Sequence, residues 1–408
     1  MGQWLGIGEL QVGWPGRPTC EHGELDVTPV QISRKGVDRL AGGHPWVFRS
    51  DVVSAGEAEA GELVHVLDAR GRFLGQAHYS TSSQIALRML SRSVEAVDLG
   101  ARIAAAQRFR AGIAGTTAYR LVHAEADFLP ALIIDRYADC FTVQALNQGM
   151  DRALPEIVAA LEQQFSPRAI VARHDAAVRS LEQLPREIRL LRGELEGPVG
   201  ISMNGFRMEA DLLKGQKTGV FLDQRENYAA VATYAYGRAL DCFTSTGGFA
   251  LHMAAKCGSV EAVDSSATAL ATARSNAERN AVGNVEFREA DVFELLSAYA
   301  SGRRNYDTIV LDPPAFAKSR GQVADAARGY KDINLRALRL LGPGGILVTC
   351  SCSHHMSEAA LLEVVAEASL NAGRTLRVLE RRTQASDHPI LLTVPETLYL
   401  KCLILQVA

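Results

Sequence analysis

The amino-acid sequence predicts an α/β protein whose C-terminal half is a doubly wound, Rossmann-like, mostly parallel sheet, preceded by a small β-barrel and a mixed α/β segment. Three observations carry this. After about residue 196, strand-like apolar runs alternate with helix-like stretches at the spacing of crossover-connected parallel strands. Several of those runs end in a glycine pair or an aspartate, at the strand ends where such sheets bind ligands. Between about residues 30 and 93 the apolar runs are instead short and separated by glycine-bearing turns.

The 408 residues exceed what one hydrophobic core usually serves, so two or three domains are expected. A hydrophobic content of 47% with 22% charged residues fits ordinary globular folding. The net charge of −3 argues against a protein that coats nucleic acid non-specifically, yet leaves room for a local basic face. No apolar run is long enough to span a bilayer and the first residues lack a secretory pattern, so a cytoplasmic location without a membrane partner is expected. Seven scattered cysteines form no paired framework, and the Cys350/Cys352 spacing is too close for a zinc clip, so neither disulfides nor a metal are expected. The oligomeric state stays open, a homodimer included.

In order along the chain, residues 1–27 carry Gly, Pro and Trp without periodicity and read as a poorly structured extension. Residues 28–100 hold the β-like runs Trp46-Val47-Phe48, 63–67 and 84–89, which suggest the barrel. Residues 101–195 read as a mixed α/β middle domain: an Ala- and Arg-rich amphipathic helix from Leu99 to about 114, then a buried strand at 129–135. Asn204-Gly205, flanked by β-like segments, is suited to a type I′ hairpin and marks the entrance to the last domain, 196–408. There the expected strands are 239–243, 260–264, 285–290, 308–311 and 346–349. The expected helices are 248–256, 267–280 and one near 334–341.

The strand ends carry the chemistry. Beyond the first strand, Gly247-Gly248 lets the backbone approach a ligand, although a tight turn without ligand accounts equally well for this pair alone. Asp264 ends the second strand at the spacing of a ribose-binding carboxylate, and Asp291 ends the third, where it can accept from an adenine amino group. Each alone could be a helix cap. The turn TSTGGF is not GxGxxG, so an adenosine cofactor without pyrophosphate, S-adenosylmethionine, is preferred over a nicotinamide.

The fourth strand runs into Asp312-Pro313-Pro314-Ala315-Phe316. Two prolines stop the ladder and hold the carboxylate and Phe316 in a rigid loop suited to a flat base, which Asp312 can hydrogen-bond and Phe316 can stack against. The fifth ends in Cys350-Ser351-Cys352. A thiolate adding to carbon 6 of a pyrimidine makes carbon 5 nucleophilic, and an acid near ring nitrogen 3 absorbs the charge. Asp312 and either cysteine fit these roles. Both cysteines share a parity on an extended strand, so spacing does not choose between them. A competing reading has Asp312 orient an exocyclic amine of guanine or adenine for direct methylation, without a covalent intermediate. A non-catalytic RNA-binding protein is a third.

These residues resemble the bacterial 23S ribosomal RNA cytosine-5 methyltransferases that carry an N-terminal PUA domain. The matching text is KTGVFLDQREN at 217–227, LDCFTSTGGF at 240–249, VLDPPAFAKS at 310–319, YKDIN at 330–334, SCS at 351–353 and DHP at 387–389. The resemblance implies a class I S-adenosylmethionine-dependent methyltransferase acting on 23S ribosomal RNA. It implies that Lys217, Thr218, Phe221 and Arg225 shape the cofactor pocket, with Asp241, Gly247, Asp264, Asp291 and Asp312 around the ligand. It also implies that Cys352, within Ser-Cys-Ser, is the catalytic thiol. The segment at 39–46, with its glycines and Trp46, is similar to the opening turn of the PUA domain, an RNA-binding module.

Overall fold

The computed structural model describes residues 27–215, 220–302, 304–316 and 323–408. The expected extension up to residue 26 lies outside the described residues, as do Lys217, Thr218 and the end of the VLDPPAFAKS motif.

The N-terminal unit contains β1 (Pro29–Ile32), α1 (Arg34–Ala41), β2 (Trp46–Phe48), β3 (Val52–Ser54), β4 (Leu63–Leu67), β5 (Phe73–Tyr79) and β6 (Ile85–Ser91). Its sheet order is β2-β6-β5-β4-β1-β3. The end strands β2 and β3 are joined only by the turn Arg49–Asp51. A flat six-stranded sheet would hold them about 24 Å apart at about 4.8 Å per strand, so the sheet must curl on itself, as a barrel does. Val30, Ile32, Val47, Val64, Val66 and Leu87 fill its core with no exposure.

The middle unit adds α2 (Leu99–Phe109), β7 (Ala118–His123), β8 (Leu132–Tyr137), β9 (Cys140–Ala145), α3 (Gln148–Arg152), α4 (Leu154–Phe165), β10 (Ala169–Arg173), α5 (Val178–Leu181) and β11 (Ile188–Gly193). Its strands lie in the order β11-β10-β9-β8-β7. The hairpin β12 (Val199–Met203) and β13 (Phe206–Ala210) follows. Its Asn204 and Gly205 have φ of 51° and 86°, the two left-handed residues that a type I′ turn requires.

The C-terminal unit comprises α6 (Arg225–Tyr234), β14 (Gly237–Cys242), α7 (Gly248–Ala254), β15 (Cys257–Asp264), α8 (Ala267–Arg279), β16 (Val285–Glu289), α9 (Val292–Ser301), β17 (Tyr306–Leu311), α10 (Val323–Leu340), β18 (Leu341–Ser351), α11 (Glu358–Asn371), β19 (Leu376–Arg382) and β20 (Lys401–Val407). Sheet order is β16-β15-β14-β17-β18-β20-β19. Strands β14 to β18 pair in parallel, whereas β20 is antiparallel to both its neighbours. Successive side chains enter two cores: Val310, Val348 and Cys350 join residues of α6, α7 and α8 on one face, while Ile309, Leu311 and Leu347 join α9, α10 and α11 on the other. The strand order turns back between β14 and β17, so a crevice opens at their carboxyl ends.

Two expectations change. Helix α10 starts at Val323 rather than near residue 334, because Tyr330, Ile333, Ala337 and Leu338 continue one buried stripe. The antiparallel pair β19 and β20 had not been anticipated.

Candidate active site

A cavity of about 720 Å³ lies beyond the ends of β14 to β18. Of the candidate residues, Phe221, Asp264, Asp291, Asp312, Phe316 and Cys352 line it.

The turn after β14 is wound tightly. Phe243, Ser245 and Gly247 have φ of 65°, 50° and 87°, three left-handed residues within five positions, so the backbone doubles back at the cavity wall. Asp264 fixes this shape from the next strand: Oδ2 accepts the Ser245 N–H at 2.9 Å and Oδ1 accepts that of Ser266 at 2.9 Å. Each carboxylate oxygen keeps a further lone pair for a ligand hydroxyl. Asp291 is both things the sequence allowed: it caps α9 by accepting the Glu294 N–H at 3.0 Å, and it lines the cavity.

Arg225, Asp241 and Gly247 lie outside the lining and brace it from behind. Asp241 is wholly buried, with Oδ2 accepting from the Thr244 hydroxyl and, at 2.9 Å, from the Ala250 N–H. Burial, opposed by the Thr244 hydroxyl and reinforced by the charge of Asp312, pushes its carboxyl up to about 7. Its Oδ1 is buried without a hydrogen bond. Arg225, only 3% exposed in its side chain, pairs at 3.1 Å with Asp387 of the DHP segment. Burial opposes ionisation of Asp387, but His388, Arg225 and the Arg120 N–H outweigh it and hold that carboxyl well below the usual range. Gly247 supplies a positive φ. The Gly248 neighbour is required by protein packing rather than by ligand approach, since a Cβ there would sit 2.4 Å from Cζ of Tyr228, itself a cavity residue.

Beside that turn, Asp312 follows β17, the strand next to β14, and its Oδ1 accepts from Gln224 Nε2 at 3.0 Å. Gln224 is itself oriented, because its Oε1 accepts from Asn227 at 2.7 Å. Phe316 is held against Tyr330 at 4.6 Å and Phe293 at 5.9 Å between ring centroids. The Tyr330 hydroxyl lies 3.3 Å from Ser353 Oγ, so the YKDIN motif on α10 ties the DPPAF and SCS loops together.

Between the two cysteines the structure separates what spacing could not. Strand β18 stops at Ser351, so Cys350 stays inside the sheet opposite Cys402, with no exposure. The hydrogen bond with Cys402 and burial push its thiol well above the ordinary range. Cys352 lies one residue beyond the strand, half-buried, and lines the cavity. His354 and His355 are exposed loop residues.

Sequence reasoning missed Gln224, Tyr228 and Lys401. Lys401 starts β20 opposite Ser351 and is 3% exposed. Its ammonium donates to the carbonyls of Ser353 at 2.7 Å and Tyr399 at 2.8 Å, holding the Cys352 loop against the strand. Burial lowers it to about 8, and the Cys352 and Glu358 charges oppose that shift. Nothing in the local sequence marks it, because its partner lies on a strand about fifty residues away.

Asp223, Asp264, Asp291 and Asp312 converge on one cavity with aromatic walls from Phe243, Phe249 and Phe293. That combination suits a cationic ligand bearing a flat ring. Among the described residues no His, Cys, Asp and Glu grouping could hold a metal, and no helix is long and apolar enough to cross a membrane.

A doubly wound sheet with this strand order and an acidic, aromatic cavity at its switch point defines a class: enzymes that bind an adenosine cofactor for methyl transfer. Comparison with known proteins gives the particular family. Residues 139–404 match the family described as S-adenosylmethionine-dependent methyltransferase, and residues 30–92 match a PUA-like domain. The chain belongs to that methyltransferase family, and its cofactor is S-adenosylmethionine. It is 44% identical over 379 residues, 89% of this chain and 95% of the relative, to a ribosomal RNA large subunit methyltransferase I from Shewanella denitrificans. A protein of the same name from Tolumonas auensis is 40% identical over 394 residues, covering 93% of this chain and 99% of its own. A solved methyltransferase complexed with S-adenosylhomocysteine superposes with a TM-score of 0.81 at 21% identity, covering 93% of this chain and all of the other, and so shares the fold.

Proposed function

We propose that the chain methylates carbon 5 of a cytosine in large-subunit ribosomal RNA through a covalent adduct with Cys352. The observation that carries this reading is the presence in one cavity lining of a half-buried thiol, Cys352, and the oriented carboxyl of Asp312, at the ends of adjacent strands. The ribosomal substrate is supported by the names of the relatives and by the PUA-like domain.

The cavity fits the cofactor on two counts: the spare lone pairs of Asp264 and the second oxygen of Asp291. Asp264 would take the ribose hydroxyls and Asp291 the adenine amino group, while Phe221 and the turn at Gly247 shape the enclosure. S-adenosylmethionine supplies an electrophilic methyl group on a sulfonium. Cys352 adds to carbon 6 of the base, and Asp312, held by Gln224, protonates or hydrogen-bonds nitrogen 3 so that the electron pair develops on carbon 5. Phe316, fixed by Tyr330, holds the ring flat. After methylation, loss of the carbon 5 proton expels the thiol. The buried Cys350 takes no part.

The test is Cys352→Ala, assayed by methyl transfer to large-subunit ribosomal RNA with mass-spectrometric identification of the modified base. Loss of transfer and 5-methylcytosine from the unaltered chain are expected. An unchanged rate in the variant, or methyl on an exocyclic amine, would favour direct N-methylation by Asp312.

A further inference from the structure

A second cavity, of about 620 Å³, shares a wall with the first. Its lining comes from all three units: Trp46 and Arg88 from the barrel, His123 and Ile133 from the middle sheet, and His354 and Tyr399 from the C-terminal unit. The two linings meet along the chain: Tyr399 lines the second cavity while Leu400, next in the chain, lines the first, and Cys352 lines the first two residues before His354 lines the second. The Tyr399 hydroxyl donates at 2.8 Å to Asp223, which faces the first cavity.

The chemistry of this lining selects its occupant. Its cations are paired, Arg120 with Asp135 at 2.7 Å and Arg88 between Glu125 at 3.5 Å and Glu182 at 3.7 Å, while Asp175 meets Arg173 at 3.2 Å and Glu396 meets His44 at 3.3 Å. A phosphate would find no spare cation there. Burial and the adjacent Arg120 keep His123 well below its ordinary range, hence neutral. Between these groups the walls are apolar, with Ile133 and neighbouring aliphatics, and the Trp46, His123 and Tyr399 rings offer flat faces. Arg88 turns its terminal nitrogens to Glu125 and Glu182, and the polar group in the lining suited to a base edge is the Gln144 side-chain amide, which both donates and accepts. A flat, neutral, hydrogen-bonding group of nucleobase size fits such a lining, and the volume lies within the range of small-molecule clefts, about 300–1,000 Å³.

We propose that this cavity seats the base of a nucleotide adjacent to the target in the same RNA strand. The inference rests on the RNA methylation reading of the first cavity, since neighbouring chain positions line the two cavities and adjacent unstacked nucleotides can enter one each. It makes the junction of the three units, rather than the barrel surface alone, the place where sequence around the target is read. The acting residues are Gln144, whose amide can pair with the base edge, and Trp46 and Tyr399, as stacking faces.

The experiment irradiates the full chain, with S-adenosylhomocysteine and a large-subunit ribosomal RNA transcript, with short-wave ultraviolet light, and maps nucleotide adducts by peptide mass spectrometry. Adducts on peptides bearing Trp46, His123 or Tyr399 are expected. They should fall at least about tenfold in either Ile133→Trp or Val178→Trp, which fill the cavity from different elements, with S-adenosylhomocysteine affinity within about twofold of the parent as the folding control. Adducts confined to other surfaces, or adducts that survive both fillings in folded protein, overturn the proposal. Cavity adducts formed by a chain that transfers no methyl group would support the pocket while refuting the chemistry of the first cavity.

Discussion

Adding one methyl group at Gly248 tests whether the glycine pair is required by packing against Tyr228. A Cβ built there lies 2.4 Å from Cζ, 2.7 Å from Cε2 and 2.7 Å from the hydroxyl oxygen of Tyr228. Apolar atoms settle at about 3.5–4.0 Å, so the overlap exceeds about 1 Å and one partner must move. The ring cannot recede easily, because it is buried and packed edge-on against Phe249 at 4.7 Å. Overpacking of this kind costs about 1–3 kcal/mol. The open direction for Tyr228 is the cofactor cavity that it lines. If the whole cost is felt on binding, affinity falls about 5- to 150-fold. Gly248→Ala should therefore lower the urea midpoint and weaken S-adenosylhomocysteine binding in calorimetry. Tyr228→Leu in the same chain should recover stability relative to the single variant, since the clash is gone. An unchanged midpoint and affinity in Gly248→Ala, or a double variant no more stable than the single, would refute the reasoning.

Three further predictions concern the site. Asp264→Ala removes the acceptor of two backbone N–H groups along with the proposed ribose contact, and should weaken S-adenosylhomocysteine binding at least about 100-fold by calorimetry, at about 1.5–3 kcal/mol per charge-assisted bond. Gln224→Leu removes the 3.0 Å donor to Asp312, so single-turnover methyl transfer should slow about 10- to 100-fold, more than S-adenosylhomocysteine affinity falls in calorimetry. Lys401→Met removes a buried cation from the Cys352 loop. The midpoint of Cys352 alkylation against pH, followed by peptide mass spectrometry, should rise by about one unit, and no rise would show that the cation does not act on the thiol. Stability carries its own sign. The Lys401 amine is lowered to about 8 in the folded chain, so the unfolded state binds more protons between about 8 and its ordinary 10.5, and stability gains from this group as pH rises through that window. Lys401→Met should flatten that slope in denaturation midpoints.

The C-terminal architecture was legible because parallel strands buried on both faces read as continuous apolar runs, as at Ile309, Val310 and Leu311. The type I′ turn at Asn204-Gly205 was legible for a local reason as well, since two left-handed residues demand that dipeptide. What escaped notice depends on distant pairing. Lys401 acquires its place only by pairing opposite Ser351, and Gln224 only by reaching Asp312 across 88 positions. Sequence spacing left Cys350 and Cys352 equivalent, whereas the end of β18 at Ser351 divides them, one thiol in the core and one in the cavity. Arg225 and Asp241 stand in motifs expected around the ligand. In the fold their polarity is spent inside the protein, on Asp387 and on the Thr244 turn.

The covalent role of Cys352 is tested most directly by trapping. A large-subunit ribosomal RNA transcript in which cytidine is replaced by 5-fluorocytidine is incubated with the chain and S-adenosylmethionine, because fluorine at carbon 5 cannot leave as a proton does and the thioether to carbon 6 is retained. The account predicts a denaturation-resistant protein–RNA adduct whose linked peptide contains Cys352 and which Cys352→Ala fails to form. An adduct on another residue, or methyl transfer at full rate with no adduct at all, would contradict it.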